Sequence, residues 1–516
     1  MSFITNKVMP IAAAGVGGQS YFIAEYDAGT TVYTGGTTNY RGQYYIAEDN
    51  SGNIGFWGVS NEFSQYESSD RMYFFNVNQT DGTAFNGKVW RPQASYLTGD
   101  VYCKNFQYDT IKGQWISLIE QGSWYKTDGN SSSTLAFYIR NDDGTAAYDF
   151  TSSSINGAMQ YCRNIPTSGS VWHYAWSNGD TVWRHKYDPA GGTTGRVTQS
   201  YEAQDGVNWA SQRGFAISPD QQRMIHINTK NNETSVTWHP ASDSSSLSYY
   251  ARKVPSSDQG SGYDVSMFQS YHNADVGFTG GANTYNAYVA TKYGTRLNLL
   301  RITNSSTYYY CRLQGNSYNG FTVNPYENPT VMIAEATGNY VYSFISLPWQ
   351  SYQRSALVIL KHNKSDMSID SSIAIACDRG QTSPYYNDVF KESGLNNAFA
   401  LTQDEQTILI GGGTKDSTNW GDEISFVWRL PTDFSQINFG TYGNWYIWDF
   451  SSSTTGGTLP VMSELVTVTT GTSATYNRTN SISSSGAGNY YDDQNLSYYE
   501  SDGQSQTFTA SKQDVA

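Results

Sequence analysis

Tyr45-Ile46-Ala47-Glu48-Asp49-Asn50-Ser51-Gly52-Asn53-Ile54-Gly55-Phe56-Trp57-Gly58 decides the fold. The run reads as a short strand, a tight turn at Asn50 to Asn53, and a second strand closed by glycine, because β-branched and aromatic residues flank a Gly/Asn cluster. A polar loop follows. Then come Met72-Tyr73-Phe74-Phe75-Asn76-Val77, a turn at Asp81-Gly82 and a strand ending at Trp90. Four short strands therefore fit into one unit of about fifty residues.

The same order recurs along the chain. A second unit runs from Phe106 through Trp115-Ile116-Ser117-Leu118-Ile119 to the turn at Asp142-Asp143-Gly144. The third contains Val171 to Trp176 and Val182 to Asp188, and the fourth Phe215 to Asp220, Met224 to Ile227 and Val236 to Trp238. The fifth contains Asp275 to Gly280 and Ala287 to Ala290, the sixth Met332 to Tyr342 and Ala356 to Lys361, and the seventh Phe399 to Asp404, Ile408 to Gly411 and Ile424 to Trp428. Seven strand-rich units of this length predict an all-β, seven-bladed β-propeller with an extended N-terminal arm and a C-terminal tail. One four-stranded sheet cannot bury both of its faces, whereas sheets packed radially cover one another. A rod of stacked β-coils would show a shorter period, and tandem β-sandwiches would show a linker that this series lacks.

The composition agrees. At 516 residues the chain exceeds the roughly 250–300 residues at which a single core stops growing. It has 42 Tyr and 48 Gly but only 13 Pro, and its 15% of charged residues lies well below the usual figure of about 25%. The net charge of −14, with no basic stripe, excludes nucleic acid and anionic membranes as main partners. No run reaches the roughly 18 apolar residues of a membrane span. Val8-Met9-Pro10-Ile11-Ala12-Ala13-Ala14 faintly imitates a secretion leader, but it is short and carries a proline, so no cleaved leader is expected.

Three regions follow: a docking arm over 1–20, the propeller over 21–450 and a Ser/Gly/Tyr-rich extension over 451–516. Tyr21 to Asp27, with Thr31 to Gly35, reads as a half-unit that supplies one or two strands to the last blade, near residues 396–450. Beyond Phe450, Leu465 to Thr469 is one more strand. The remainder, rich in Ser and Gly, reads as disordered unless a neighbouring subunit holds it.

Residues that could carry chemistry have plainer readings. His173, His185, His226, His239, His272 and His362 show no metal-ligand spacing and are expected at strand or turn positions. Cys103, Cys162, Cys311 and Cys377 lie far apart and are expected reduced, in strands. Gly411-Gly412-Gly413 opens no helix and reads as a blade turn. The carboxylate pairs Glu48-Asp49, Asp142-Asp143 and Asp492-Asp493 fall in turns or tail, where Asp caps its own backbone. Asp49 to Asn53 offers oxygen ligands for calcium, but a hairpin turn fits better. Ser177 to Trp183 only loosely echoes the Asp-box turns of sialidases. The sequons at Asn78, Asn304 and Asn477 are expected by chance in so polar a chain. Tyr308-Tyr309-Tyr310 and Tyr498-Tyr499 could pack between blades or meet a sugar or a protein. No catalytic, cofactor or metal residues are predicted, and no enzyme activity.

Ile46 to Gly58, with Asp81-Gly82, resembles the repeats of seven-bladed propellers found in bacterial surface proteins and in virion structural proteins of marine tailed bacteriophages, cyanophages among them. Ile333 to Tyr342 is a second copy, and the resemblance covers roughly 21–450. It implies a scaffold. A virion setting would make the chain a structural protein of a tail, fibre or capsid appendage, present in many copies. Its termini would dock on other virion proteins, with Val8, Met9, Pro10, Ile11, Ala12, Ala13 and Ala14 as the arm. A glycan-binding adhesin, a secreted bacterial surface propeller and a polysaccharide-degrading enzyme are the alternatives.

Overall fold

The computed structural model describes residues 20–29, 43–60, 71–90, 101–110, 112–121, 132–156, 158–165, 171–178, 181–187, 197–202, 211–217, 223–230, 233–240, 246–253, 286–293, 296–303, 307–315, 317–318, 321–322, 331–336, 338–349, 354–377, 399–415, 423–443, 445–451, 466–474, 480–485, 493–495 and 503–516. These form seven antiparallel sheets, consistent with seven blades and numbered as such below, and a two-stranded hairpin of Ser317–Tyr318 with Phe321–Thr322.

Blade 1 is the meander Gln43–Glu48, Ile54–Ser60, Arg71–Val77, Ala84–Trp90. Blade 2 is Val101–Asp109, Gln114–Gln121, Ser132–Asn141, Ala146–Asn156. Blade 3 is Ala158–Ile165, Val171–Asn178, Thr181–Tyr187, Val197–Glu202. Blade 4 is Ser211–Ile217, Arg223–Lys230, Glu233–Pro240, Ser246–Lys253. Blade 5 has Asn286–Tyr293, Arg296–Thr303 and Thr307–Gly315. Blade 6 is Val331–Glu335, Tyr340–Trp349, Arg354–Asn363, Ile369–Cys377. Blade 7 has Phe399–Leu401, Thr407–Lys415 and Glu423–Pro431. The first strands of blades 1 and 2, 2 and 3, 3 and 4, 5 and 6, and 6 and 7 pack on one another, and that of blade 1 packs on blade 7.

Side chains alternate across a strand, so a sheet buried on both faces needs an unbroken apolar run. Leu357-Val358-Ile359-Leu360 of blade 6 is such a run. Leu357 and Ile359 enter the core shared with blades 7 and 1, and Val358 and Leu360 the core shared with blade 5. In blade 1, Tyr73 and Phe75 face blade 7, while Met72 and Phe74 face blade 2 among Trp57, Trp90, Phe106 and Trp115. The hydrophobic interior is thus a set of walls between blades, not one central mass.

The ring is closed by both ends of the chain. Phe22–Asp27 is the fourth strand of blade 7, pairing Ala24 with Val427, as the half-unit predicted. The other half of that prediction, Thr31 to Gly35, lies outside the described residues. Thr509–Asp514 then pairs with the free side of Phe22–Asp27, Ala24 opposite Lys512.

The C-terminal extension departs most from expectation. Apart from the strand expected at Leu465 to Thr469, which is found, its composition predicts disorder, yet most of its described residues form strands, each on the outer edge of a blade. Just before the extension, Trp445–Asp449 adds to blade 6 with Gly440–Tyr442 outside it; within the extension, Val466–Ala474 adds to blade 5 as its fourth strand and Asn480–Ser485 to blade 4. Asp493–Asn495 adds to blade 2, Gln504–Ser505 to blade 1 and Thr509–Asp514 to blade 7. The chain therefore retraces its own ring in reverse order, as a belt. Outer blade edges expose unpaired backbone groups. A polar strand satisfies them through its backbone and needs little apolar surface of its own, which is why Ser- and Thr-rich sequence serves.

Gly411-Gly412-Gly413 is a second correction. These residues form no turn but lie within Thr407–Lys415, opposite Val427, Phe426 and Ser425. A Cβ on Gly411 would stand 3.0 Å from the Phe56 ring and 3.3 Å from Ile46 Cδ1. The glycine there lets blades 7 and 1 approach.

Candidate functional site

The carboxylates singled out by sequence are used by their own turns. Asp49 Oδ1 accepts the N–H groups of Ser51 and Asn53, each at 2.8 Å, and Asn53 Nδ2 donates to Asp49 Oδ2 at 3.2 Å. This is a self-capped hairpin, with its carboxylate committed to protein donors. Asp142 Oδ1 accepts the Tyr108 hydroxyl at 2.8 Å. Asp143 Oδ1 accepts both N–H and hydroxyl of Thr145, at 2.9 and 2.6 Å, and these bonds hold its pKa below the usual carboxylate range. Asp492 and the arm residues 8–14 lie outside the described residues.

The Asp143–Thr145 arrangement recurs. Asp81 serves Thr83, Asp366 serves Ser368, Asp433 serves Ser435 and Asp449 serves Ser451, each through Oδ1 to an N–H and a hydroxyl. An Asp two residues before Ser or Thr is thus a recurring turn signature of the fold. It was visible in Asp81-Gly82-Thr83 and Asp143-Gly144-Thr145, and sequence reasoning noticed the turns but not the hydroxyl.

One pair resembles catalytic machinery. Ser343 Oγ lies 2.7 Å from His362 Nε2, and His362 Nδ1 lies 3.3 Å from the Met367 carbonyl. Both residues are buried, and burial holds the imidazole down to about 4. The ring bridges two strands of blade 6 and no solvent reaches it. It is a satisfied core histidine, as expected of the six. The four cysteines lie on strands, and Cys311, the one whose side chain is described, is buried and reduced, with its thiol pushed up to about 12.

Polar groups converge instead at the seam of blades 7 and 1, where the ring closes. Gln403 N–H donates to Glu48 Oε2 at 2.6 Å, and Gln403 Nε2 to the Asp49 carbonyl at 3.2 Å. Burial pushes Glu48 up to about 7, opposed by the Gln403 N–H and by Arg429, and reinforced by Asp404 and Asp49. Arg429, itself buried, donates from Nη1 to the Gln79 carbonyl at 2.8 Å. Tyr73 and Ser425 share a hydroxyl–hydroxyl bond of 2.9 Å, and the Tyr26 hydroxyl donates to the Gly82 carbonyl at 2.9 Å.

The last fourteen residues lie along the outside of this seam. Gln506 N–H donates to the Gly87 carbonyl at 2.9 Å, and Gln506 Nε2 to the Ala28 carbonyl at 2.7 Å. The Phe508 ring sits 4.4 Å from that of Phe75 and 6.0 Å from that of Tyr73. Val515 is fully buried, its N–H donating to the Tyr21 carbonyl at 3.0 Å and its carbonyl accepting from Asn438 at 2.9 Å. Sequence reasoning missed this groove because its walls come from residues hundreds of positions apart.

No family model matches the chain, and no curated protein does. Among solved structures, the Dos1 propeller is 7% identical, with 80% of this chain and 95% of that one covered at a TM-score of 0.37. An α-L-arabinanase of Penicillium chrysogenum, complexed with arabinobiose, is 10% identical, with 80% and 99% covered and a TM-score of 0.34. The endosialidase of phage phi92 is 12% identical, with 86% and 76% covered and a TM-score of 0.32. The propeller assignment rests on the strand order of this chain itself.

Proposed function

We propose that the chain is a non-enzymatic structural protein whose propeller is a rigid scaffold, in a tailed-phage virion, with residues 8–14 of its N-terminal arm docking on a neighbouring virion protein. The belt is the observation that carries the scaffold reading. Among the described residues, five of the seven blades receive an outer strand from the C-terminal extension. A body whose edges are covered from within resists edge-to-edge aggregation at the high local concentration of an assembly. The belt also engages the described C-terminal strands in cis, which leaves the N-terminal arm as the better docking element. Its base is held firmly, because the strand that begins at Phe22 lies between two others.

The setting is supported by the neutral polar composition and the repeat resemblance, and the docking mode by the way an extended small-residue segment adds to a sheet edge. Deleting residues 1–18 removes no described strand, so the variant should fold and fail to join particles. Normal incorporation overturns the docking role. Immunogold labelling of intact particles with antibody to the propeller tests the setting: label on tail, fibre or capsid supports it, and unlabelled particles overturn it.

A further inference from the structure

The C-terminal fourteen residues have the form of a bound peptide. Phe508 and Val515 are apolar anchors seven positions apart, both buried. Between them Thr509–Asp514 makes a six-residue antiparallel ladder with Phe22–Asp27. Gly503 lies against the Trp90 indole, where a Cβ would come within 2.6 Å of Nε1. Strand addition fixed by side-chain pockets is a known mode of peptide recognition, with the backbone supplying affinity and the pockets register.

The paired strands of this segment's tether carry fewer apolar residues than its dock. Upstream, Asp493–Asn495 makes a ladder of three residues, and Asn480–Ser485, though paired over six residues with blade 4, reads Asn-Ser-Ile-Ser-Ser-Ser, with a single apolar residue. If these short pieces peel, the 28 residues from 475 to 502 could span about 90–100 Å. That exceeds the roughly 60 Å diameter expected of a compact chain of this length. Every copy carries the same groove and the same occupant, the condition under which an element can be exchanged between protomers at low cost.

We infer that the seam groove is a strand-accepting site that takes residues 503–516 of a second copy of this chain as well as its own, so that copies link by exchanging C-terminal strands. The inference does not depend on the virion setting. It differs from docking by the N-terminal arm, which lies at the other end of the chain.

Asp27 and Thr509 face each other at the end of the ladder and give the test. Full-length chains carrying D27C alone and T509C alone, with different tags, are mixed at high concentration and oxidised. The double variant D27C/T509C is oxidised when dilute. The expected result is a disulfide-linked dimer containing one of each tag, together with an internally crosslinked monomer from the double variant. An internal crosslink without any mixed-tag dimer overturns the exchange, since the variants then fold in register and do not trade strands. Failure of the dilute double variant to close overturns the groove itself.

Discussion

The N–H of Val515 donates to the carbonyl of Tyr21 at 3.0 Å, so the last buried residue of the chain is bonded beside the first strand. Propellers must join their last blade to their first, and here the joint is made twice. The N-terminal strand enters blade 7, and the C-terminal strand then closes over it. Neither end can leave without exposing a strand edge and part of the core shared by blades 6, 7 and 1.

Phe508 should therefore matter more than its position near the end of the chain suggests. Its ring is buried against Phe75 and Tyr73. Phe508→Ala removes those contacts and is expected to cost about 3 kcal/mol, in the usual range for a buried phenylalanine. Urea titration followed by tryptophan fluorescence measures it. A loss within error of zero would mean that the terminal strand is not a structural part of the ring.

Close glycine–aromatic packing gives a second test. A Cβ on Gly55 would stand 2.5 Å from the Trp115 ring, and Trp115 is fully buried between blades 1 and 2. Gly55→Ala must displace that indole, so a destabilisation of about 1–3 kcal/mol is expected, as for other overpacked cores. Gly411→Ala presses blade 7 on Phe56 more gently and should cost less. The order of the two denaturation midpoints checks this, and a reversed order would sink the account of how the blades approach.

Much of this architecture was legible in sequence. Runs such as Leu357 to Leu360 and Tyr73 to Phe75 announce sheets buried on both faces, and the Tyr21 to Asp27 half-unit correctly pointed to blade 7. The belt was illegible for a physical reason. Strands such as Asn480–Ser485 carry almost no apolar residues and are paired with the backbone of Ser246–Lys253, more than two hundred residues away. Local composition reports apolar burial, not an edge offered elsewhere in the chain. Gly411 misled in the same way: a glycine that ends a local pattern resembles one that admits a distant aromatic ring. The seam groove was hidden because Phe508, Phe75 and Tyr21 come from three separate parts of the sequence.

The turn signature yields a pair of opposed outcomes. Gly82, Gly144 and Met367 each follow the capping Asp with positive φ, 71°, 78° and 62°, and Glu405 follows Asp404 with φ 57°. A left-handed residue with a side chain costs roughly 1 kcal/mol. At Glu405, which is not buried, Glu405→Gly should relieve that cost and leave stability unchanged or raised by up to about 1 kcal/mol. Met367 is 1% exposed in the core between blades 5 and 6, so Met367→Gly forfeits more than it relieves and should destabilise by about 1–3 kcal/mol. Thermal unfolding of the two variants decides the matter by the sign of their difference.

Stability also depends on pH, through Glu48 at the seam and His362 within blade 6, acting in opposite senses. Glu48 is raised to about 7 in the folded chain by burial, from an unfolded value near 4.5. The folded state thus binds the extra proton, and the contribution of Glu48 is fully present below about 4.5 and lost as pH rises through 7. His362 is lowered to about 4 by burial, from about 6.5. There the unfolded state binds the extra proton, so its contribution is present above about 6.5 and lost as pH falls towards 4. Glu48→Gln removes the first effect alone and can keep the bond from Gln403 N–H. Relative to the native chain, the stability of E48Q should rise between pH 4.5 and 7 and level off above. Urea midpoints for both proteins at half-unit intervals measure that difference. A flat difference would show that Glu48 titrates as an ordinary exposed carboxylate and that the seam is open to water; a difference that falls with pH would mean the seam lowers its pKa instead.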